Sequence, residues 1–205
     1  RSPENPVIEK LELDLAKYGY SLCITDTKGS HADLTPDYAA IPMEMTMVAN
    51  LLGKEKLREV NLEDILSAVP MLRDKAGDRA LLRALHFEQE TKRAGEEAQA
   101  LKKNDFPSFL KIFKKSADSS YKYLQNVYST TDLNSQGISL ALCLSDMILG
   151  EDEAARVHGG GFAGTVQAFV KESNVQSYKK TMDKVFGEGA CSVMSIRSFG
   201  GVKIV

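Results

Sequence analysis

A glycine-rich stretch that runs directly into an alternating apolar segment is the strongest constraint on how this chain folds. Within Arg156–Val170, four glycines fall within six residues. Val166, Ala168 and Val170 then alternate with residues of the opposite face. Glycine clusters interrupt regular structure, and a period of two marks a strand with two distinct faces. The order therefore predicts a loop that feeds a β-strand.

The glycines of this loop, Gly159, Gly160, Gly161 and Gly164, leave two interpretations open. Glycine adopts positive φ at little cost and lets another surface approach the backbone closely, and consecutive amides can form a concavity that binds anions. The same residues also suit a tight hairpin turn. No Gly-Lys-Ser/Thr follows, as a Walker loop requires, and a Gly-x-Gly-x-x-Gly spacing before a strand is a weak dinucleotide signal. The pattern predicts close backbone approach without identifying a ligand.

Composition narrows the class of protein. The chain has 205 residues, of which 43% are hydrophobic, and this is enough for one sizeable domain or a pair of small ones. Its net charge of −2 provides no field that would attract nucleic acid or an anionic membrane. No apolar run reaches membrane-spanning length. We therefore expect neither nucleic-acid nor membrane partners.

The cysteines and histidines do not form a pattern typical of a metal site. Three widely spaced cysteines, Cys23, Cys143 and Cys191, each lie in an apolar run. They are expected to be buried free thiols, which favours a reducing, cytoplasmic setting. The three histidines lie far apart and lack cysteine companions, so no metal site is expected.

The secondary-structure pattern predicts an α+β fold. The predicted strands lie over 7–13 (an edge strand), 18–27, 166–170, 191–196 and 202–205. The predicted helices run from Thr35 to Gly53, over 61–66, over 76–103, from Pro107, over 133–149 and over 175–186. Thr35 is the expected N-cap, Pro36 the first helical residue, and Pro42 the place of a kink or restart. We expect antiparallel strands with helices packed on one face and a helical insertion.

Two further segments stand beside the glycine stretch, one over 31–45 and one at Arg83–His86 with Glu90 and Arg93. Together the three segments resemble the galactokinase branch of the GHMP small-molecule kinases. The glycine stretch resembles the third motif of that family, whose usual form is Arg-Met-Thr-Gly-Gly-Gly-Phe-Gly-Gly-Cys. The segment over 31–45 resembles the family's helix start in the C-terminal half, and Arg83–His86 with Glu90 and Arg93 resembles its long helix. The resemblance implies a ferredoxin-like C-terminal domain over residues 18–205, with residues 1–17 as a linker or edge segment that continues from a missing N-terminal domain.

The resemblance also implies an activity, the transfer of the γ-phosphate of ATP to the anomeric hydroxyl of galactose. ATP and Mg²⁺ would be the cofactors of the full-length protein, and galactose or a related sugar its substrate. The sequence contains neither the family's Gly-Leu-Ser-Ser-Ser-Ala phosphate loop nor its Gly-Glu-His-Thr-Asp-Tyr sugar segment. The catalytic residues and the partner domain are therefore expected in the missing half. We expect the chain alone to be inactive and to bind no cofactor tightly.

Few site residues transfer from the family to this sequence. Tyr38 matches the tyrosine that contacts the sugar, and Gly159, Gly160, Gly161 and Gly164 match the loop that lines the cleft beside the phosphate loop. The motif differs at three positions, and these bear on the identity of the sugar. They are His158 for threonine, Ala163 for glycine and Thr165 for cysteine.

Two other functions remain open at this stage. The chain is compatible with a non-catalytic sugar-sensing or regulatory relative on the same scaffold, because a fold does not settle function. It is also compatible with a free-standing interaction domain.

Overall fold

The structure, a computed structural model, describes residues 8–11, 13–30 and 32–196. The helices are α1 (Thr35–Leu51), α2 (Leu62–Ser67), α3 (Val69–Ala76), α4 (Asp78–Lys102), α5 (Phe106–Ser119), α6 (Gly137–Ile148) and α7 (Val175–Phe186). The strands are β1 (Tyr20–Asp26), β2 (Ala154–Val157), β3 (Thr165–Lys171) and β4 (Cys191–Met194). A π-helical turn, Ser120–Leu124, continues α5. The predicted strand over 202–205 lies outside the described residues.

The four strands form one antiparallel sheet in the order β2-β3-β1-β4. The central pair, β1 and β3, aligns Cys23 with Ala168. This arrangement confirms the predicted α+β fold with a ferredoxin-like antiparallel sheet. Helices α1 to α5 lie between β1 and α6 in the chain and form the predicted helical insertion.

Both faces of the sheet carry helices, because both faces carry apolar side chains. On one face, α6 and α7 pack as predicted, with Tyr178 and Met182 of α7 fully buried against Cys23 and Val170. On the other face, α5 of the insertion packs three phenylalanines edge-to-face around Phe169 of β3. Their ring centroids lie 5.0 to 5.9 Å from Phe169, for Phe106, Phe109 and Phe113. The insertion therefore completes the second half of the core.

Most helix predictions are confirmed within a few residues, and the differences have local causes. Thr35 lies inside α1, and Leu34 occupies the N-cap without a side-chain bond, so the predicted Thr35 cap is wrong. The helix continues through Pro42 without a restart. Gly53 has φ +70° and donates its N–H to Asn50 O, as expected of a C-terminal glycine. Helix α3 was not predicted, although Pro70 at its start is a typical signal.

Helix α6 is buried on one side only, which corrects the prediction for one cysteine. Ile138, Ala141 and Ser145, spaced by three and four, face inward. Cys143 is exposed, because it follows Ala141 by two residues and two steps of 100° turn it to the opposite side of the helix. Cys23 and Cys191 are buried free thiols, as predicted.

The N-terminal segment forms less regular structure than expected. Residues 8–11 and 13 form no strand, and a short 3₁₀ turn, Leu15–Tyr18, precedes β1. The division between residues 17 and 18 stays a prediction. Within the described ranges, none of the helices is both long enough and apolar enough to cross a membrane.

Candidate functional site

The loop that joins β2 to β3 carries the glycines of the sequence motif. His158 N donates to Thr165 O at 2.9 Å and closes the hairpin at its base. Gly159, Gly161 and Gly164 have φ of +71°, +84° and +93°. L-residues rarely adopt this region, so these three positions favour glycine for conformational reasons. Gly160 does not have positive φ, and its role is therefore one of space.

Tyr38 and the glycine loop are in direct contact, although 123 residues separate them in the chain. Tyr38 lies in the first turn of α1, and its hydroxyl donates to Gly161 O at 2.8 Å. Its ring packs edge-to-face on Phe162, with 5.3 Å between the centroids. A Cβ on Gly160 would lie only 2.8 Å from Cε1 of Tyr38. The structure thus brings together the two elements that the sequence motifs identified separately.

The environment of Tyr38 keeps its phenol protonated. Partial burial raises the pKa of Tyr38, and the negative charge of Asp37 raises that pKa further. Asp37 accepts a hydrogen bond from Ser129 Oγ at 2.6 Å. The phenol therefore stays a neutral hydrogen-bonding group at neutral pH, and the segment around Ser129 joins the same site.

Asn126 also holds the glycine loop, through both its side chain and its backbone. Its side chain is 3% exposed, and Nδ2 donates to Gly160 O at 3.1 Å. Its backbone oxygen accepts the N–H of Phe162 at 2.6 Å. A Cβ on Gly161 would lie 1.8 Å from that same oxygen. Close backbone approach, predicted from the glycines, is thus present here with a residue of this chain as the neighbour.

The residue that follows β1 is hydrogen-bonded to the last glycine of the loop. Thr27 donates to Gly164 O through both its backbone N–H, at 2.9 Å, and its hydroxyl, at 2.7 Å. A Cβ on Gly29 would lie 3.2 Å from Cβ of Ala163. Ala163 itself is buried and does not have positive φ. A side chain larger than alanine would be crowded at this position, whereas alanine in place of the family's glycine fits.

An ion-pair cluster behind the loop fixes α1 to α4. Arg83 of α4 is only 2% exposed, and it donates to Glu44 at 2.8 Å and to Leu124 O at 3.1 Å. Arg79 donates to the same carboxylate at 2.9 Å. Burial lowers the pKa of Arg83, and the charge of Glu44 opposes that effect. The bond to Leu124 ties this cluster to the π-helical turn that precedes Asn126.

Three other residues of the long-helix motif, His86, Glu90 and Arg93, are buried or partly buried between α4, α5 and β2. His86 Nδ1 and Ser119 Oγ are 2.9 Å apart, and burial lowers the pKa of His86 to about 4. Arg93 donates to Glu90 at 2.7 Å and to Ser119 Oγ at 2.8 Å. Arg156 of β2 lies 3.7 Å from Glu90. These residues fasten α4 and α5 to the strand that leads into the glycine loop.

Sequence reasoning named Tyr38 and the glycines as candidates and did not name Asn126; the binding roles of Tyr38 and the glycines stay predictions. A single polar residue after an irregular helix end has no motif, so only the structure identifies it. No group of three or more potential metal ligands comes together anywhere in the described ranges. His158 is exposed at the base of the loop, and Thr165 is the first residue of β3.

Comparison with known proteins identifies the family. No family model matches the sequence. The galactokinase of Thermotoga petrophila is 32% identical over 170 residues, which cover 79% of this chain and 44% of the relative. Human galactokinase is 26% identical over 187 residues, which cover 90% of this chain and 44% of the relative. The crystal structure of Lactococcus lactis galactokinase complexed with galactose matches with a TM-score of 0.64 and 20% identity, covering 86% of this chain and 45% of that one.

These matches define both the kinship and its extent. The chain spans less than half the length of the curated relatives it matches. The structural match supports the same fold. The chain therefore belongs to the galactokinase family and corresponds to the C-terminal half of its members.

Proposed function

We propose that the complete protein is an ATP-dependent galactokinase, and that this chain forms one wall of its sugar-binding cleft. The proposal depends above all on the contact between Tyr38 and the glycine loop, because it joins two motifs of a sugar kinase family in one place. The galactokinase relatives support the same activity. The three free cysteines support a reducing compartment such as the cytoplasm.

Tyr38 is the residue we assign to the sugar. A tyrosine offers a flat apolar ring for the C–H face of a sugar and a hydroxyl for hydrogen bonding. The bond from its hydroxyl to Gly161 O fixes the ring in one orientation before a ligand arrives. A fixed side chain loses less conformational entropy on binding.

We assign the binding of ATP and Mg²⁺ to a part of the complete protein outside this chain. ATP supplies the phosphoryl group, and Mg²⁺ neutralises charge on it during transfer. This sequence contains neither the family's phosphate loop nor its catalytic segment. We therefore expect ATP, Mg²⁺ and the catalytic groups to be held by the N-terminal domain, and we expect the 205 residues alone to give no turnover.

Steady-state kinetics on the full-length protein test the proposal. ADP release with galactose should exceed that with other hexoses, and the isolated chain should match a no-protein control. Tyr38→Phe removes one hydroxyl and keeps the ring, so the KM for galactose should rise roughly 2- to 12-fold. Tyr121→Phe is the matched control, because Tyr121 is 39% exposed and its hydroxyl donates to Ser139 of α6 rather than to the glycine loop.

Two results would reject parts of this proposal. An unchanged KM in Tyr38→Phe would leave Tyr38 as a packing residue. Galactose binding by calorimetry without any ADP release from the full-length protein would favour a non-catalytic sugar-sensing relative instead.

A further inference from the structure

Asn126 has a fixed position, although it follows an irregular segment. The π-helical turn ends where Gln125 adopts φ +57° and donates its N–H to Ser120 O at 2.9 Å. Ser120 in turn donates from Oγ to Oδ1 of Asn126 at 3.0 Å. The neighbouring Ser119 is held by His86 and Arg93. The helical insertion therefore determines where Asn126 lies.

The side-chain amide of Asn126 accepts a hydrogen bond at one end and donates one at the other. Oδ1 accepts from Ser120, and Nδ2 donates to Gly160 O. Only a group with an acceptor at one end and a donor at the other satisfies both partners. A carboxylate has the same shape but no donor, so it would face Gly160 O with a second acceptor.

Asn126 also brackets Gly161. It bonds Gly160 through its side chain and Phe162 through its backbone, one residue to each side. Gly161 is thereby held with its carbonyl oxygen on the hydroxyl of Tyr38. A shift of Asn126 would move the acceptor that orients the Tyr38 ring.

We propose that Asn126 is a positioning residue of the sugar site. Its hydrogen bonds fix the position of the glycine loop and, through Gly161, the orientation of the Tyr38 ring. The proposal rests on the proposed function, since it assigns Asn126 to the binding of the sugar rather than of the nucleotide. In this role Asn126 acts through the glycine loop rather than by binding the sugar itself.

The test compares two variants of the full-length protein. Asn126→Asp keeps the shape of the side chain and removes the donor to Gly160 O. Asn104→Asp is the matched control, because it makes the same change at an exposed residue whose Oδ1 accepts from the hydroxyl of Tyr18 at 3.3 Å, and an aspartate keeps that acceptor. For each variant, hydrogen exchange of the peptide over 158–164, the melting temperature, and the KM values for galactose and for ATP are measured.

A positioning role predicts a specific division of effects. In Asn126→Asp, exchange over 158–164 should accelerate about tenfold or more, because a buried acceptor loses its donor. The KM for galactose should rise by a similar factor, with the KM for ATP unchanged. Asn104→Asp should leave the loop exchange and both KM values near wild type. A merely structural role would lower the active fraction, and hence kcat, without moving either KM.

The failures of this inference and of the proposed function are distinguishable. Equal loop exchange in wild type and Asn126→Asp overturns the positioning role, as does faster exchange with an unchanged galactose KM. Wild-type protein that releases no ADP refutes the proposed function and with it the assignment to the sugar. In that case the exchange comparison between the two variants still decides whether Asn126 positions the loop.

Discussion

Alanine substitutions at two glycines of the same loop separate two costs, the backbone strain of a side chain at positive φ and its overlap with a neighbouring residue. Gly159 and Gly161 both have positive φ, +71° and +84°. A Cβ on Gly159 would meet nothing within 4 Å, whereas one on Gly161 would lie 1.8 Å from the backbone oxygen of Asn126. Replacing each with alanine therefore adds the same methyl group to two similar backbones, only one of which faces a neighbour.

The expected loss of stability is the sum of the backbone strain at positive φ and, at Gly161 alone, the overlap with Asn126. Alanine in the left-handed region costs roughly 1–2 kcal/mol, and this should be the whole effect of Gly159→Ala. At Gly161 the neighbour is backbone, which cannot rotate away, so overpacking adds about 1–3 kcal/mol. The total for Gly161→Ala is about 2–5 kcal/mol. At 2–4 °C per kcal/mol for a domain of this size, Tm should fall by roughly 2–8 °C for Gly159→Ala and roughly 4–20 °C for Gly161→Ala.

Thermal unfolding monitored by circular dichroism measures both variants against wild type at one pH and one scan rate. Gly161→Ala should unfold at the lower temperature. Equal Tm values for the two variants would refute the reasoning, because they would mean that the approach of Asn126 to Gly161 adds nothing to the strain.

Gly160→Ala extends the comparison to the third glycine. Its φ is not positive, and its Cβ would meet the ring of Tyr38 at 2.8 Å rather than backbone. The ring must shift by a few tenths of an ångström, so the KM for galactose should rise while Tm changes by less than in Gly161→Ala. A large loss of Tm with an unchanged KM would show that Gly160 matters for folding alone.

Three further predictions concern other parts of the fold. The pKa of His86 is about 4, below the roughly 6.5 of an unfolded chain, so the unfolded state binds more protons between these two values and the free energy of unfolding should fall by at most about 3 kcal/mol as the pH drops through this window. Urea unfolding at pH 7 and pH 4.5 should show a smaller decline in His86→Gln than in wild type. An equal decline in the two proteins would contradict this prediction. A maleimide should label exposed Cys143 quickly and buried Cys23 and Cys191 slowly in the native protein, with the fast phase absent in Cys143→Ser. Asn61→Ala removes the capping box of α2 and should cost about 0.5–2 kcal/mol in thermal unfolding, whereas Asn61→Ser should lose less than Asn61→Ala.

Elements with strong local signals could be predicted from the sequence. Helix α7 spans Val175–Phe186, the predicted range, because its apolar spacing and the following Gly187 define both the face and the end. The capped helix α2 followed from Asn61. Cys143 was placed wrongly because an apolar run was interpreted as buried on all sides. A helix at the surface buries one stripe only, and the sequence does not reveal which side of α6 meets the sheet.

The glycine loop marks the limit of such reasoning. A cluster of glycines predicts that something approaches the backbone, but the neighbour is determined by tertiary structure. Here the loop meets Tyr38, from 123 residues earlier, and Asn126, which follows a turn with no motif. The positive φ values of three of its glycines fit a hairpin turn, and the contact at Gly160 fits a loop built around another residue. The two interpretations are compatible, because the hairpin supplies the backbone shape and the neighbouring residues select the positions at which no side chain fits.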